Sequence, residues 1–203
     1  MKKYLVIGRP VDHSLSPQLH NYWIKVNKIN AIYDKRDLDD NELKDLINSV
    51  KDKEIDGINI TVPYKKKIIP YLDELSEEAK KTESVNTVFM KDDKLIGHNT
   101  DIEGFELSIR DTNFDVKKKT IFILGAGGVV PSIIYALNKM QVSQIIVSNR
   151  TKEKALDLKN LFQKIDIVNW GEIPNFDMII NATSVGLKEN EDLKLDLLKV
   201  ENR

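Results

Sequence analysis

Cysteine is absent from this 203-residue chain, and histidine occurs only 3 times. Without cysteine the chain can form neither a disulfide nor a thiolate metal site, which suits a reducing compartment such as the cytoplasm. His13, His20 and His98 do not have the spacing of a metal-binding motif. We therefore expect no metal site.

Long apolar runs and a strong net charge are also missing. The amino-terminal apolar run, residues 4–8, is too short for a signal peptide or a transmembrane helix. The formal net charge is −1, so no overall field attracts nucleic acid or an anionic membrane. We expect a cytoplasmic protein without nucleic-acid or membrane partners, in which the lysine runs 65–67 and 117–119 are solvated.

Short apolar runs alternate with amphipathic ones, which is the pattern of parallel strands joined by crossover helices in an α/β fold. Strands are predicted near 4–8, 31–37, 57–61, 85–90, 94–98, 120–124, 145–149, 166–168 and 177–181. Helices are predicted near 16–27, 41–52, 65–81 with a break at Pro70, 102–112, 128–140 and 151–163. Ser16 is predicted to cap the first helix, with Pro17 in its first turn and Leu19, Trp23 and Val26 on one face. The pattern restarts after a charged stretch, which predicts two domains, residues 1–101 and 102–203.

The second half opens with a glycine turn, Gly125-Ala126-Gly127-Gly128, directly after an apolar strand. In a dinucleotide-binding fold the first glycine makes the turn, the second lets the backbone approach the pyrophosphate, and the helix amino terminus attracts its charge. Val130 stands where the third glycine of the fingerprint belongs, so the match is incomplete. The strand before it and the helix after it favour a Rossmann-like nucleotide site at residues 125–129 over an ordinary turn.

Cofactor choice is usually decided at the end of the second strand, where NAD-binding proteins carry a carboxylate for the ribose hydroxyls. This strand ends in Asn149-Arg150-Thr151, which contains no carboxylate. The planar cation of Arg150 suits a 2′-phosphate, and Lys154 adds charge one helical turn later, so NADP is predicted over NAD. The alternative is an exposed arginine at the start of a helix.

The first half places polar side chains at the predicted ends of strands and helices, and each has a structural explanation on its own. Ser16 can be a helix cap, Asn59 and Thr61 can end a strand, and Asp101 is favourable at a helix amino terminus. Lys65 can be the first member of a solvated lysine run. Together, however, these residues form a set that structural roles alone do not explain.

Read in order, the motifs of both halves closely resemble the shikimate dehydrogenase family over practically all 203 residues. The motifs that carry the resemblance are Ser14-Leu15-Ser16-Pro17, Asn59-Ile60-Thr61-Val62-Pro63-Tyr64-Lys65, Ser84-Val85-Asn86-Thr87, Gly97-His98-Asn99-Thr100-Asp101, Gly125-Ala126-Gly127-Gly128, Asn149-Arg150-Thr151 and Asn181-Ala182-Thr183-Ser184-Val185-Gly186. The resemblance implies a substrate-binding and catalytic domain at 1–101 and an NADP-binding, Rossmann-like domain at 102–203. It implies NADPH-dependent reversible reduction of 3-dehydroshikimate to shikimate, a step toward chorismate and the aromatic amino acids.

Residue roles follow from the same resemblance. The residues implied to hold the substrate are Ser14, Ser16, Asn59, Thr61, Lys65, Asn86 and Asp101. Lys65 and Asp101 are implied to form the catalytic pair, in which the lysine protonates the developing alkoxide and the aspartate stabilises its ammonium form. The residues implied to contact NADP are Gly125, Ala126, Gly127, Gly128, Val129, Asn149, Arg150, Thr151, Lys154, Thr183 and Ser184.

The end of the chain departs from the family pattern. Family members continue for several dozen residues, with the last strands of the nucleotide domain and a glutamine that contacts substrate, whereas this sequence stops at Arg203. A sheet that ends at strand 177–181 exposes an apolar edge. We expect a C-terminally truncated copy of the enzyme; the other explanation is that a partner covers the edge. A homodimer is a separate expectation.

Two other functions stay open. One is a quinate/shikimate dehydrogenase that uses NAD, against which Arg150 argues. The other is a truncated, non-catalytic shikimate-binding protein, against which the retention of both Lys65 and Asp101 argues, since a pure binder needs no proton donor.

Overall fold

A computed structural model describes residues 1–186 and 191–195 of the chain. It divides into two compact units, the first spanning Met1–Thr100 and the second beginning at Asp101. Arg203, where the sequence predicts a truncation, lies outside the described residues. No helix in the described part of the chain is both long enough and apolar enough to cross a membrane.

Unit 1 is a mixed sheet with helices against it. Its strands are β1 (Lys2–Gly8), β2 (Ala31–Asp37), β3 (Gly57–Ile60), β4 (Glu74–Leu75), β5 (Thr87–Lys91) and β6 (Lys94–His98), in the order β2-β1-β3-β5-β6-β4. Its α-helices are α1 (Ser16–Val26), α2 (Leu43–Lys51), α3 (Tyr64–Lys67) and α4 (Glu77–Thr82), with short 3₁₀ turns at Asp40–Glu42 and Ile69–Tyr71. The core lies between α2 and the sheet, where Leu46, Ile47 and Val50 pack with Ile7, Ile58 and Val88.

The strands of unit 1 are not all parallel, which corrects the prediction of crossover connections throughout. β1 pairs in parallel with β2 and β3, but β5 is antiparallel to both β3 and β6. Only Asp92 and Asp93 connect β5 to β6, and both have positive φ, +49° and +57°. A two-residue turn of this kind closes a hairpin, whereas a parallel pair needs a dozen or more connecting residues.

The predicted helix 65–81 is wrong as a single element, although the break at Pro70 is confirmed. The chain forms α3, a 3₁₀ turn that contains Pro70, the short strand β4 and then α4. Asp73 accepts a hydrogen bond from the backbone N–H of Leu95 at 2.8 Å, which holds the extended segment beside β6. Ser76 caps α4 by accepting from the N–H of Ala79 at 3.2 Å.

Helix α1 exists as predicted, but two of its expected features differ. Leu15 is the N-cap residue and Ser16 is already helical, so Ser16 does not cap the helix. The apolar face is exposed in unit 1, with 49% of Leu19, 48% of Trp23 and 59% of Val26 accessible. The helix contacts the sheet through a different face, because Ile24 packs with the buried Val6 of β1.

Unit 2 is a parallel sheet in which helices connect its first three strands. It contains α5 (Asp101–Asp111), β7 (Thr120–Leu124), α6 (Val130–Lys139), β8 (Gln144–Ser148), α7 (Lys152–Leu161), β9 (Asp166–Val168) and β10 (Met178–Asn181). The strand order is β10-β7-β8-β9, and all described pairs are parallel. In the described part of the sheet, β10 is an edge strand whose single neighbour is β7. Phe176 and Ile179 pack against the buried Phe122 on one face of this edge.

Candidate active site

In unit 1, polar side chains form a hydrogen-bonded cluster between the carboxyl end of β3 and the start of β5. Asn59 is the third residue of β3, and its side-chain nitrogen donates to the backbone oxygen of Asn86 at 3.2 Å and to Thr87 Oγ1 at 3.0 Å. Thr87 Oγ1 in turn donates to Asn86 Oδ1 at 3.0 Å. Asn59 and Asn86, which are 27 positions apart in the sequence, therefore share one network.

Asn86 is also held from the side of β6. Its Oδ1 accepts from the backbone N–H of Thr100 at 3.0 Å, and its Nδ2 donates to Thr100 Oγ1 at 2.9 Å. Its backbone N–H donates to the carbonyl of His98 at 3.0 Å. The orientation of the Asn86 amide is thus set by groups on both sides.

Thr61 lies where the carboxyl end of β1 meets the segment after β3. Its N–H donates to the carbonyl of Ile7 at 2.8 Å. A Cβ added to Gly8 would clash with Thr61 Cγ2, so glycine at position 8 permits this close approach. Thr61 itself is half-buried.

The loop between β1 and α1 carries the two serines. Ser14 donates its backbone N–H to the carbonyl of Val11 at 2.9 Å. The N–H of Ser16 donates to Ser14 Oγ at 3.3 Å. Both serines are half-buried, and this contact joins them in one turn before α1.

Lys65 differs from the two lysines that follow it. Lys65 is half-buried, whereas Lys66 and Lys67 are exposed and pair with Glu83 and Asp40. The backbone carbonyl of Lys65 accepts from the N–H of Val85 at 2.9 Å, which brings its main chain beside the Asn86 segment. Lys65 is therefore less exposed than its two neighbours in the lysine run.

Asp101 belongs to unit 2, where it is the first residue of α5. It is half-buried, and it directly follows Thr100, one of the residues of unit 1 that contact Asn86. Its position in the first turn of a helix is favourable for a carboxylate because of the helix dipole.

In unit 2 the glycine turn follows the carboxyl end of β7, a central strand of the described sheet. Gly125 has φ +111°, and a Cβ there would lie 2.7 Å from the carbonyl oxygen of Ala182, so only glycine fits. Its N–H donates to the carbonyl of Ser148 at 2.8 Å. The helix begins at Val130 rather than 128, because the turn continues through Val129.

The loops on either side of the glycine turn carry the other predicted cofactor residues. After β8, Asn149 Nδ2 donates to the carbonyl of Thr151 at 2.7 Å, and Arg150 and Lys154 are exposed. After β10, Asn181 Oδ1 accepts from both the N–H and the hydroxyl of Thr183, at 3.1 and 2.7 Å. β7 lies between β8 and β10, and all three strands are parallel. The loops that follow them therefore lie side by side at the carboxyl ends of the strands.

Comparison with known proteins supports both halves. Residues 6–88 match the family model for the shikimate dehydrogenase substrate binding domain, and residues 107–189 match that for shikimate / quinate 5-dehydrogenase. Shikimate dehydrogenase (NADP(+)) of Pelagibacter ubique (strain HTCC1062) is 58% identical over 199 residues, which cover 98% of this chain and 75% of that protein. This chain belongs to the shikimate dehydrogenase family. The predicted family resemblance is confirmed.

Solved structures of shikimate dehydrogenases share the fold. The crystal structure from Aquifex aeolicus superposes with a TM-score of 0.88 at 42% identity and covers 95% of this chain and 72% of that one. The enzyme from Thermus thermophilus, solved in complex with NADP(H) and shikimate, has a TM-score of 0.83 at 32% identity and covers 92% of this chain and 70% of that one. The predicted α/β class with a Rossmann-like second part is confirmed.

The network of unit 1 in this shikimate dehydrogenase fold also includes residues that were not predicted to bind substrate. Tyr33, on β2, donates its hydroxyl to Asn59 Oδ1 at 2.7 Å. Thr87 and Thr100 stand in the motifs that carry the family resemblance, but they are not among the predicted substrate-binding residues. Burial raises the pKa of Tyr33 far above its ordinary value, so its hydroxyl remains a donor. A tyrosine in an edge strand carries no sequence signal for this contact.

Proposed function

We propose that this chain catalyses the NADP-dependent, reversible reduction of 3-dehydroshikimate to shikimate, in the route to chorismate and the aromatic amino acids. The observation that carries the proposal is that the family similarity extends over both sets of chemistry-bearing residues, the polar cluster of unit 1 and the three loops of unit 2. Function is argued from these residues because one fold can host many activities.

Residues 1–101 are proposed to bind substrate. A small hydroxylated ring with a carboxylate needs hydroxyl and amide groups for orientation and a cation nearby. The groups proposed to meet that need are Ser14, Ser16, Asn59, Thr61, Lys65, Asn86 and Asp101. Their support in the structure is the hydrogen-bonded network of Asn59 and Asn86, together with the partial burial of Lys65.

Residues 102–203 are proposed to bind NADP. The turn 125–129 offers a backbone without bulky side chains at Gly127 and Gly128, followed by the amino terminus of α6, a combination that suits a pyrophosphate. Arg150 and Lys154 are exposed beside it, with Asn149 and Thr151 shaping their loop, and they suit a 2′-phosphate. Thr183 and Ser184 complete the proposed site from the loop after β10.

Lys65 and Asp101 are proposed to be the catalytic pair. NADPH, when bound, supplies a hydride to the ketone carbon. Negative charge then develops on the ketone oxygen, and the Lys65 ammonium donates a proton to it, forming the hydroxyl. Asp101 stabilises the ammonium form of Lys65 before the transfer. In the reverse direction neutral Lys65 accepts the hydroxyl proton.

A spectrophotometric assay tests the activity. Absorbance of the reduced nicotinamide is followed with NADP or NAD as oxidant and with shikimate or quinate as substrate. We expect turnover with NADP and shikimate, and a much smaller kcat/KM for the other three combinations. Equal or greater kcat/KM with NAD and quinate would replace this proposal with the quinate/shikimate alternative.

The non-catalytic alternative predicts a different pattern. A shikimate-binding protein without catalysis would bind shikimate by calorimetry yet leave NADPH absorbance unchanged when 3-dehydroshikimate is added. The retention of Lys65, with surroundings unlike those of Lys66 and Lys67, favours the enzyme.

Assembly and location are also part of the proposal. We propose a cytoplasmic protein that forms a homodimer. Light scattering coupled to size-exclusion chromatography measures the mass directly, and a monomer at micromolar concentration would reject the dimer.

A further inference from the structure

Tyr33 connects the outer edge of the unit 1 sheet to the polar cluster at its centre. It is 4% exposed and lies on β2, while Asn59 lies on β3, with β1 between the two strands. Tyr33 pairs with Tyr4 and Asn59 pairs with Val6 in β1, so the four side chains occupy one face of the sheet. The tyrosine ring packs with Val6, and its hydroxyl reaches Asn59 beyond it. A serine or threonine at position 33 would be too short for this span.

Contacts other than the hydroxyl bond hold Tyr33 in place. Asn21 of α1 donates to the Tyr33 carbonyl at 2.7 Å and accepts from the Tyr33 N–H at 3.0 Å, as a neighbouring strand would. The imidazole of His20 stacks on the tyrosine ring with centroids 4.1 Å apart and planes 4° from parallel. The phenol therefore has little freedom to move, and its hydroxyl is a rigid donor.

The chemistry of the partners determines how the Asn59 amide is oriented. The backbone oxygen of Asn86 can only accept, so the group of Asn59 that faces it must be Nδ2. Oδ1 then faces Tyr33, whose hydroxyl donates to it at 2.7 Å. The tyrosine adds a hydrogen bond to this orientation, whereas in the flipped amide Oδ1 would face the Asn86 carbonyl oxygen, which cannot donate.

The same orientation extends to Asn86 through Thr87. Asn59 Nδ2 donates to Thr87 Oγ1 at 3.0 Å, and the single hydroxyl hydrogen of Thr87 goes to Asn86 Oδ1 at 3.0 Å. The bonds thus run in one direction, from Tyr33 through Asn59 and Thr87 to Asn86. Asn59 is oriented by this path, and Asn86, which Thr100 holds from the other side, receives one further bond from it.

We propose that Tyr33 is a positioning residue for shikimate binding, whose hydroxyl orients the Asn59 amide and, through Thr87, that of Asn86. The inference depends on the proposed function, because it takes Asn59 and Asn86 as substrate-binding residues. Tyr33 itself is not proposed to contact the substrate.

The test is Tyr33→Phe, which keeps the ring and its stacking on His20 but removes the hydroxyl. Isothermal titration and steady-state kinetics measure the dissociation constants of shikimate and NADP and the split between KM and kcat. We expect the Kd and KM for shikimate to rise about 5- to 10-fold, as for the loss of one hydrogen bond, with kcat and the NADP Kd changed less than about twofold.

A double-mutant cycle separates positioning from a general loss of structure. In an Asn59→Ala background, Tyr33→Phe should raise the shikimate Kd no further, because its target is already gone. An equal rise in both backgrounds would overturn the inference. If Tyr33→Phe does not fold, Thr87→Val interrupts the same path with Tyr33 intact; an increase in shikimate Kd supports the inference, and a Kd equal to the parent's overturns it.

Tyr64→Phe is the matched control. Tyr64 is fully buried and donates its hydroxyl to the backbone carbonyl of Leu38, outside the Asn59 network. Tyr64→Phe should lower the free energy of unfolding, measured with denaturant, about as much as Tyr33→Phe does. Its Kd for shikimate should stay within about twofold of the parent's. A parent chain that does not bind shikimate would refute the proposed function and this inference together. A parent that binds, with Tyr33→Phe binding equally well, would refute the inference alone.

Discussion

At the scale of single residues, the surroundings of a side chain separate function from surface charge where the residue type does not. Lys65, Lys66 and Lys67 are adjacent and chemically identical, but only Lys65 is half-buried. Lys66 and Lys67 hold Glu83 and Asp40 in exposed ion pairs, which contribute little to stability. The proposed proton donor is the lysine whose main chain is bonded beside Asn86.

Lys65→Ala should lower kcat by about two to four orders of magnitude, the usual contribution of a positioned acid. The NADPH dissociation constant should remain within about twofold, since the cofactor is proposed to bind residues of unit 2. Stopped-flow turnover and fluorescence titration with NADPH measure the two effects. Lys66→Ala is the control and should retain parental turnover. Parental turnover in Lys65→Ala would mean that the proton comes from another group.

Arg150→Asp should raise the KM for NADP at least about tenfold, because a carboxylate repels the 2′-phosphate that the guanidinium is proposed to bind. The KM for NAD, which has no such phosphate, should rise much less. Initial rates with each cofactor at saturating shikimate give both constants. Lys159→Asp reverses a charge near the other end of α7 and should change neither constant. An unaltered KM for NADP would remove Arg150 from this role.

At the scale of elements, the loops after the parallel strands of unit 2 depend on one another. The turn after β7 approaches the loop after β10 so closely that Gly125 leaves no room for a Cβ beside Ala182. The first glycine of the turn is therefore required by packing between loops as well as by its φ of +111°. Gly127 has no such neighbour, since the nearest atom to an added Cβ is 4.0 Å away.

Gly125→Ala should destabilise the chain by about 1–3 kcal/mol, from the unfavourable φ and the contact with Ala182. Gly127→Ala should change the free energy of unfolding by less than about 0.5 kcal/mol. It should nevertheless weaken NADP binding, because the added methyl group occupies the proposed path of the pyrophosphate. Urea unfolding and NADP titration of both variants distinguish the two roles. Equal loss of stability in the two variants would contradict this account.

At the scale of the whole molecule, the two compact units carry separate parts of the proposed chemistry. Asn59, Lys65 and Asn86 belong to unit 1, whereas the glycine turn and Arg150 belong to unit 2. Asp101 is the first residue of unit 2 and directly follows Thr100, whose hydroxyl and N–H contact Asn86. The assignment of substrate to the first unit and cofactor to the second is a prediction that ligand footprints can test.

Hydrogen exchange measured by mass spectrometry should show a different footprint for each ligand. Shikimate should slow exchange in residues 57–66, 84–89 and 96–100, and NADP should slow it in 125–131 and 149–154. Binding protects amides by stabilising the closed state of the segment that contacts the ligand. The exposed hairpin turn at Asp92-Asp93 is the internal control and should exchange at the same rate throughout. Protection of the same segments by both ligands would contradict the division.

The family, the α/β class and most strands follow from the amino-acid sequence alone, because they depend on local signals: apolar periodicity, glycine at turns and motifs in a set order. The break at Pro70 is of the same kind, since ring geometry acts locally. The exposure of α1's apolar face, the antiparallel pairing of β5 and the contact from Tyr33 to Asn59 emerge only from the three-dimensional arrangement. Each depends on residues that are far apart in the chain and meet only in the folded structure. The contact that positions Asn59 exists because β2 and β3 flank β1 in the sheet.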